Sequence, residues 1–255
     1  MTLVIAHRGS RGNRPENTLA AFKEAVRVGA EGIELDIRQT KDKEIVVIHD
    51  PKINRTTTGR GEVEKMTLKE IRQYDAGIKF SKEFEGEKIP SLREVLDLLE
   101  EMDFKGLLNI EIKTNRFFHK GVEKRLAEVV KERPLPFEIV YSGFDLRSLF
   151  KINRYDPVHE KYWLVKDVKE NRRKILNIEK NNMISGVHSS LGFSIRDSNF
   201  IKNIKKKIRV WTVNRDKDLL YCFEQNLEGV ITDYPQKALE LREKFLASKI
   251  QKTQF

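Results

Sequence analysis

The feature that most constrains the fold of this chain is a regular alternation of short β-rich runs with amphipathic helical patterns. Such an alternation is typical of βα repeats built around a parallel sheet. The β-rich runs are Leu3 to Ala6, Gly32 to Ile37, Leu107 to Ile112, Glu138 to Ser142, Tyr162 to Val165, Ile184 to Val187, Ile208 to Val213 and Gly229 to Thr232. Eight strands are the number in a (β/α)₈ TIM barrel, and 255 residues match its usual size. We therefore expect an α/β fold of this class, forming a single domain over residues 1–255.

The segments between the runs are suited to helices. Thr18 to Val28 can be capped by Asn17 and ended by Gly29, and Leu92 to Glu101 can be capped by Ser91. An open, doubly wound sheet has the same alternation. No Gly-rich phosphate fingerprint follows the first strand, however, and this favours the barrel.

One further β-rich run, Glu44 to Ile48, interrupts the alternation. Only the polar residues around Lys41 to Lys43 separate it from the second strand, whereas a parallel crossover needs about a dozen residues. The two runs must therefore form an antiparallel hairpin, which brings His49 back to the level of Glu34 and Asp36.

The stretch that follows the hairpin, Pro51 to Pro90, is mostly polar. It contains Thr56-Thr57-Thr58-Gly59 and at most one short helix, near Leu68 to Gln73. We expect it to form a small insertion after the second strand, over approximately residues 51–90 and beside one barrel mouth.

Composition excludes several classes of protein. A hydrophobic fraction of 39% rules out global disorder, and no apolar run approaches the roughly 18 residues of a membrane span. The single cysteine, Cys222, excludes an internal disulfide framework and fits a buried thiol in a reducing compartment. With no basic leader at Met1 to Ala6, these observations predict a cytoplasmic protein. The net charge of +10 lies mostly between Lys161 and Leu220, where 15 basic and six acidic side chains fall.

Ionisable side chains cluster at the ends of the first three barrel strands and of the hairpin. They are His7, Arg8, Glu34, Asp36, His49, Glu111 and Lys113. The carboxyl ends of barrel strands line the active site, so these side chains should converge on one mouth. A lone histidine at a strand end is more often structural, and a lone glutamate can be a rim ion pair. A barrel has little reason to direct seven such groups inward without a ligand.

Three of these residues form a candidate metal site. Glu34 and Asp36 are two apart on one strand and so share a face, and Glu111 belongs to the next barrel strand. Three carboxylates facing one point repel each other unless a cation joins them. An oxygen-only ligand set suits Mg²⁺ or Ca²⁺.

The remaining ionisable residues suggest phosphodiester chemistry. His7 and His49 can take and give the protons of a hydrolysis, while Arg8 and Lys113 neutralise phosphate charge. No comparable support exists for His119, His159 or His188, although His188 follows a strand. Trp211 fits equally a core position on the seventh barrel strand and a position lining the mouth.

Taken in order, the motifs of this chain resemble the glycerophosphodiester phosphodiesterase family. The motifs are Ala6-His7-Arg8-Gly9, Pro15-Glu16-Asn17-Thr18, Gly32-Ile33-Glu34-Leu35-Asp36, His49-Asp50, Asn109-Ile110-Glu111-Ile112-Lys113, Trp211-Thr212-Val213-Asn214 and Thr232-Asp233-Tyr234-Pro235. They span nearly the whole chain, and their ordered combination is highly specific. The resemblance implies a (β/α)₈ barrel that uses a divalent cation to hydrolyse glycerophosphodiesters to an alcohol and sn-glycerol 3-phosphate.

The resemblance also implies roles for individual residues. His7 and His49 correspond to an acid/base pair, and Glu34, Asp36 and Glu111 correspond to the metal ligands. Arg8 and Lys113 would contact the phosphate, with Trp211 near the glycerol end. The chain departs from the family at Gly143, where a second serine is common, and at Lys205 to Lys207, where a His and a Gly are usual.

Two other functions are weighed against this one. A lysophospholipase D of the same fold would be favoured by an apolar rim on the insertion, where Tyr74, Phe80 and Phe84 are the aromatic residues, and it would make peripheral contact with membranes. A non-catalytic barrel that binds nucleic acid through its basic region is disfavoured, because arginine and aromatic residues are sparse in the lysine-rich run. The sequence leaves open the alcohol, the choice between Mg²⁺ and Ca²⁺, the oligomeric state, and a cyclic-phosphate route or direct hydrolysis.

Overall fold

In the computed structural model, eight parallel strands close into a barrel that is surrounded by helices. The structure describes residues 1–114, 121–166, 171–196 and 198–253. The barrel strands are β1 (Leu3–His7), β2 (Gly32–Gln39), β4 (Leu107–Ile112), β5 (Glu138–Gly143), β6 (Glu160–Val165), β7 (Gly186–Ser190), β8 (Lys207–Trp211) and β9 (Gly229–Thr232). β1 pairs with both β2 and β9, which closes the barrel. The predicted (β/α)₈ fold is confirmed.

The predicted hairpin is present as β3 (Ile45–Val47), which pairs antiparallel with the outer end of β2. Ile37 lies opposite Val47, and the Ile48 amide donates to the Asp36 carbonyl at 2.9 Å. This register returns the chain to the level of Asp36 and so delivers His49 to the barrel mouth, as the spacing predicts.

Helices occupy the crossovers and the end of the chain. They are α1 (Leu19–Arg27), α2 (Leu68–Ile71), α3 (Leu92–Glu101), α4 (Val122–Val130), α5 (Leu146–Tyr155), α6 (Arg172–Glu179), α7 (Leu191–Arg196), α8 (Ser198–Asn203), α9 (Asp216–Glu224) and α10 (Pro235–Thr253). Ser91 caps α3 in a capping box with Glu94, as predicted. The prediction that Asn17 caps α1 is wrong. Thr18 is the cap and accepts a hydrogen bond from the Ala21 amide, which leaves the Asn17 side chain free for the site described below.

The insertion has a small core of its own against the outer face of β3. Its apolar side chains pack with Val46 and Ile48 and include Ile53, Val63, Ile71, Ala76 and Ile89. Besides α2, it contains two 3₁₀ turns, Val63–Lys65 and Lys82–Phe84, that no sequence pattern predicts. Because this core lies on the hairpin side of the barrel, the insertion flanks the mouth beside His49.

Several predicted element ends shift in the structure. The run Ile184 to Val187 is realised as Gly186–Ser190, so His188 lies within β7 rather than after it. The helix α8 that precedes the three consecutive lysines ends at Asn203. Lys207 then begins β8, at the amino-terminal end of the strands, so the three consecutive lysines lie at the face opposite the ionisable cluster. In the described part of the chain, no helix combines the length and apolarity of a membrane span.

Candidate active site

The ionisable residues predicted from the sequence do meet at the carboxyl ends of the strands, around one cavity of about 240 Å³. The cavity is lined by His7, Arg8, Glu34, His49, Asn109, Glu111, Lys113, Ser142, Phe144, Leu164, Lys166, His188, Trp211, Thr212 and Ile231. Asp36 lies directly behind this lining and is 1% exposed.

Three buried carboxylates form an acidic cluster on one wall of the cavity. Glu34, Asp36 and Glu111 each offer an oxygen atom, and these atoms all lie within 4.8 Å of one another. Burial and the negative charges of Asp36 and Glu111 raise the pKa of Glu34 well above its usual value. Burial also raises the pKa of Glu111, to about 7, against the opposing charge of Lys113. The cluster therefore holds more negative charge than its burial favours, which is the situation that a bound cation relieves.

Two cations of the chain reach the acidic cluster from either side. Lys113 binds Glu111 through Nζ and lies 3.0 Å from Asp36 Oδ1. Arg8 Nε lies 3.1 Å from Asp36 Oδ2. Although burial opposes ionisation of Asp36, Lys113 and Arg8 outweigh it and lower the pKa of that carboxyl. Asn17 adds a hydrogen bond of 2.8 Å to Asp36 Oδ2. Asp36 therefore stays ionised.

His7 is held by a carboxylate from the far end of the chain. Its Nδ1 lies 2.7 Å from Asp233 Oδ1, and Nε2 lies 4.0 Å from Glu34 Oε2. The amide of Asn214 donates to Asp233 Oδ2 at 2.8 Å and fixes the carboxylate. Burial opposes ionisation of Asp233, but the hydrogen bond with His7 outweighs it and lowers the pKa of Asp233. An ionised Asp233 can only accept, so His7 must carry its proton on Nδ1 when neutral, and Nε2 has a free lone pair.

His49 has an equivalent carboxylate partner next to it in the chain. Its Nδ1 lies 2.7 Å from Asp50 Oδ1, and its side chain is 34% exposed at the mouth. Burial opposes ionisation of Asp50, but hydrogen bonds with Arg55 and His49 lower the pKa of Asp50 to about 2. The same tautomer argument therefore leaves the Nε2 lone pair of His49 free.

Arg55, from the insertion, connects the surroundings of His49 with those of Arg8 through hydrogen bonds. Its Nε donates to Asp50 Oδ2 at 2.6 Å, and its two terminal nitrogens donate to Glu16 at 2.9 and 2.7 Å. Glu16 also accepts from Arg8 at 2.8 Å. One guanidinium thus joins the carboxylate that orients His49 to the carboxylate that orients Arg8.

The turn after β1 has a backbone that few residues can adopt. Arg8 and Gly9 both have left-handed φ angles, 53° and 76°, and a Cβ on Gly9 would lie 2.6 Å from the Ala21 carbonyl carbon. This conformation directs the Arg8 amide to Glu34 Oε2 at 2.9 Å. The sequence His7-Arg8-Gly9 therefore places a histidine and a backbone donor beside Glu34, and a guanidinium beside Asp36.

Two aromatic side chains form the outer wall of the cavity. Trp211 and Phe144 meet edge to face with ring centroids 5.7 Å apart, and Phe144 is 46% exposed. The Trp211 Nε1–H donates to the His188 carbonyl at 2.9 Å, which fixes the indole. Of the two positions weighed for Trp211, the structure shows the one that lines the mouth.

Sequence reasoning missed the carboxylates that hold the histidines and the arginine that joins them. Asp50 is adjacent to His49, so its proximity was available as a signal. Asp233 is 226 residues from His7, and the signals that point to it are its place at the end of the last strand and the motif Thr232-Asp233-Tyr234-Pro235. His188, given no support, lines the cavity, whereas His159 lies near Asp156, away from it. His119 is outside the described residues.

Comparison with known proteins agrees with this geometry. Residues 7–237 match the model of the glycerophosphoryl diester phosphodiesterase family. The chain belongs to this family. A glycerophosphodiester phosphodiesterase of Caldanaerobacter subterraneus subsp. tengcongensis is 40% identical over 94% of this chain and 97% of its own length. Another, from Bacillus altitudinis, is 34% identical over 95% of this chain and 99% of its own length.

Two solved structures of similar proteins have the same fold. A phosphodiesterase of Oleispira antarctica, in complex with its product sn-glycerol 3-phosphate, is 28% identical, with a TM-score of 0.85 over 95% of this chain and 97% of that chain. A glycerophosphodiester phosphodiesterase of Thermotoga maritima is 25% identical, with a TM-score of 0.75 over 94% and 98%. The relatives span this chain almost end to end.

Proposed function

We propose that this protein hydrolyses glycerophosphodiesters to an alcohol and sn-glycerol 3-phosphate. The observation that carries the proposal is the convergence of two carboxylate-bound histidines, His7 and His49, on a cavity with three buried carboxylates and two cations. Family membership supports the same reaction, and the Oleispira antarctica relative was solved with this product.

The acidic cluster is suited to one divalent cation, Mg²⁺ or Ca²⁺. Glu34, Asp36 and Glu111 provide an all-oxygen ligand set. Burial and the negative charges of Asp36 and Glu111, which raise the pKa of Glu34, also favour a bound positive charge. When bound, the cation would neutralise the charge of the substrate phosphate. Arg8 and Lys113 line the same cavity and supply further positive charge to the phosphate.

His7 is suited to be the general base. Burial lowers the pKa of His7 against the opposing effect of Asp233, so the imidazole is neutral at pH 7. Its Nε2 carries the free lone pair and points toward Glu34, beside the acidic cluster. The nucleophile that attacks phosphorus can be a water molecule. Alternatively, it can be the 2-hydroxyl of the glycerol, and this second route would give a cyclic phosphate that water then opens. In either route His7 takes the proton.

His49 is suited to be the general acid. It is more exposed than His7 and stands at the mouth, where a leaving alcohol can depart into solvent. Burial lowers the pKa of His49, and the charge of Asp36 opposes this effect. The negative charge of a bound phosphodiester favours the protonated imidazole further. A proton from His49 Nε2 would convert the poor alkoxide leaving group into an alcohol.

A panel assay tests the proposal. Purified protein is offered glycerophosphocholine, glycerophosphoethanolamine and related diesters, and sn-glycerol 3-phosphate is detected with a coupled dehydrogenase. We expect release of that product, its loss in excess chelator, and its return on addition of Mg²⁺ or Ca²⁺. Undiminished activity in excess chelator, with no ion bound between Glu34, Asp36 and Glu111 in metal-soaked crystals, contradicts the metal site.

Hydrolysis of lysophospholipids is a second candidate, supported by exposed apolar side chains on the insertion. Phe80 and Ile78 are 46% and 37% exposed, and Phe80 lines a surface groove with Glu16 and Arg55 beside the mouth. Tyr74, in contrast, packs against the core of the insertion. A short-chain lysophosphatidylcholine in the same assay, with choline detected, distinguishes the two substrates. A higher kcat/KM for the lysolipid than for glycerophosphocholine would favour this candidate.

A further inference from the structure

A second groove adjoins the catalytic cavity and contains a buried arginine to which the proposed mechanism gives no role. This outer groove has a volume of about 350 Å³ and shares Glu111, Lys113 and Phe144 with the lining of the cavity. Its further lining includes Arg38, Asp145 and Arg147. A ligand whose phosphate lies beside the acidic cluster can therefore extend from the cavity into the outer groove.

The geometry of β2 places Arg38 on the same strand face as two members of the acidic cluster. Glu34, Asp36 and Arg38 alternate along the strand, so Arg38 lies about 7 Å beyond Asp36 toward the hairpin. There it is the register partner of Val46 on β3. Its Nε and Nη2 donate to the His49 carbonyl at 2.9 and 2.8 Å. Arg38 is therefore directly beside the proposed general acid.

The charge of Arg38 has no counterion among the described residues. Its side chain is in no ion pair there, Arg38 is 6% exposed, and its Nη1 has no hydrogen-bond partner in that part of the chain. The other cations of the outer groove are paired, Lys113 with Glu111 and Arg147 with Asp145. The groove therefore carries the unbalanced positive charge of Arg38, which solvent screens only weakly because the guanidinium is buried.

The place of His49 indicates which part of the substrate reaches this charge. A general acid must lie next to the oxygen atom of the leaving alcohol, so the alcohol lies on the His49 side of the phosphate. Arg38 both contacts the His49 backbone and lines the outer groove, so a substituent of that alcohol can reach it. The groove that contains Phe80, in contrast, shares no described lining residue with the cavity.

We infer that the outer groove is a subsite for a negatively charged group on the leaving alcohol, and that Arg38 provides the charge that selects it. This inference rests on the proposed function and adds a substrate class, glycerophosphodiesters whose alcohol carries an anion such as a carboxylate. Hydrogen bonds between a guanidinium and a carboxylate are stronger than those between neutral groups. Alcohols with such an anion should therefore be preferred over otherwise identical alcohols without one.

The test compares glycerophosphoserine with glycerophosphoethanolamine, which differ only in the carboxylate of the alcohol. We expect wild-type kcat/KM to favour the serine diester by about tenfold or more. Arg38→Gln should reduce that preference to about twofold or less, whereas Arg38→Lys, which keeps the charge, should retain most of it. Both variants should also lower kcat on both diesters, because the His49 carbonyl loses donors. A purely structural role of Arg38 would leave the ratio of the two diesters unchanged.

Two further variants change charge without removing a contact with His49. Asp145→Asn removes a carboxylate from the outer groove, and asparagine is an equally good cap for α5, so the preference should rise about two- to threefold. Lys79→Gln is the matched control, because it removes a cation from the groove that contains Phe80. This control should leave the preference unchanged.

Inhibition of the wild type gives a readout that does not depend on how any variant folds. O-Phosphoserine should inhibit the hydrolysis of glycerophosphocholine about tenfold more strongly than O-phosphoethanolamine. Equal inhibition by the two compounds, equal wild-type kcat/KM for the two diesters, or an unchanged ratio in Arg38→Gln would overturn the subsite while leaving the proposed function intact. Failure of the wild type to cleave any glycerophosphodiester would overturn both.

Discussion

His7 and His49 each use Nδ1 to contact a carboxylate, so the proton transfers proposed for the site fall to the two Nε2 atoms. We expect His7→Ala and His49→Ala each to lower kcat by about 100-fold or more, the usual scale for loss of a general acid or base. Steady-state kinetics on glycerophosphocholine, with circular dichroism to check folding, measures this. His159→Ala is a suitable control, since His159 lies outside the cavity. Near-normal turnover in either cavity variant rules out its assignment.

Asp233 acts on the reaction through His7 rather than through substrate. Asp233→Asn keeps the size of the side chain, but its amide can donate to Nδ1, which moves the His7 proton to Nε2 and removes the lone pair of the base. We expect kcat to fall at least tenfold with little change in KM. The acid limb of the pH–activity profile, which reports the base, should move to lower pH because Asp233 raises the pKa of His7. A variant with wild-type kcat and an unchanged pH profile would show that the contact is only structural.

How well the sequence predicts contacts between individual residues depends on how far apart the residues lie in the chain. Glu34 and Asp36 could be paired from their spacing on one strand, and the hairpin argument added His49. Nothing local connects Asp233 with His7 or Asn17 with Asp36, because tertiary folding alone brings these partners together. Asn17 also matches the capping preference of a helix start, and the neighbouring Thr18 takes that position instead.

At the scale of elements, the insertion has a link to catalysis through Arg55. Arg55→Met removes hydrogen bonds to Asp50 and Glu16, which frees both carboxylates that orient His49 and Arg8. We expect kcat/KM to fall about tenfold, with recovery of part of the loss in Arg55→Lys, whose ammonium supplies charge without the planar fork. Arg60→Met, an exposed change in the same insertion, should have no effect. Unchanged kinetics in Arg55→Met would show that the insertion does not influence the reaction through this residue.

Element types were more predictable than element ends. The hairpin followed from a connection too short for a parallel crossover, which is a geometric limit rather than a preference. The predicted start of β7 is wrong because Ile184 is fully buried but is not part of the strand. An apolar run in a sequence indicates which residues are buried, not which residues pair in a sheet. The 3₁₀ turns of the insertion are too short to produce any periodicity.

For the whole molecule, the lysine-rich run, Lys205 to Lys207, lies far from the active site. The Lys207 ammonium lies 3.0 Å from Glu160, and Lys206 Nζ donates to the Asn181 carbonyl at 3.0 Å. These contacts lie at the amino-terminal face of the barrel, beyond a Debye length of about 8 Å from the mouth.

Replacement of Lys205, Lys206 and Lys207 by Gln should therefore leave kcat/KM for a soluble glycerophosphodiester within about threefold at physiological salt. The same variant can weaken adsorption to anionic vesicles, which a sedimentation assay measures separately. A tenfold fall in kcat/KM with the soluble substrate would place the run on the catalytic face, against the topology described here.

The closure of the barrel between β1 and β9 has a consequence for how the protein is made. His7 emerges from a ribosome 226 residues before its partner Asp233. Until Gly229–Thr232 has been synthesised, one side of β1 is an open strand edge, and the glutamates of the acidic cluster lie in an incomplete sheet. A nascent chain therefore cannot acquire a functional site gradually. During translation it must avoid edge-to-edge association with other nascent copies, and chaperone demand should be set by the time needed to reach the last strand.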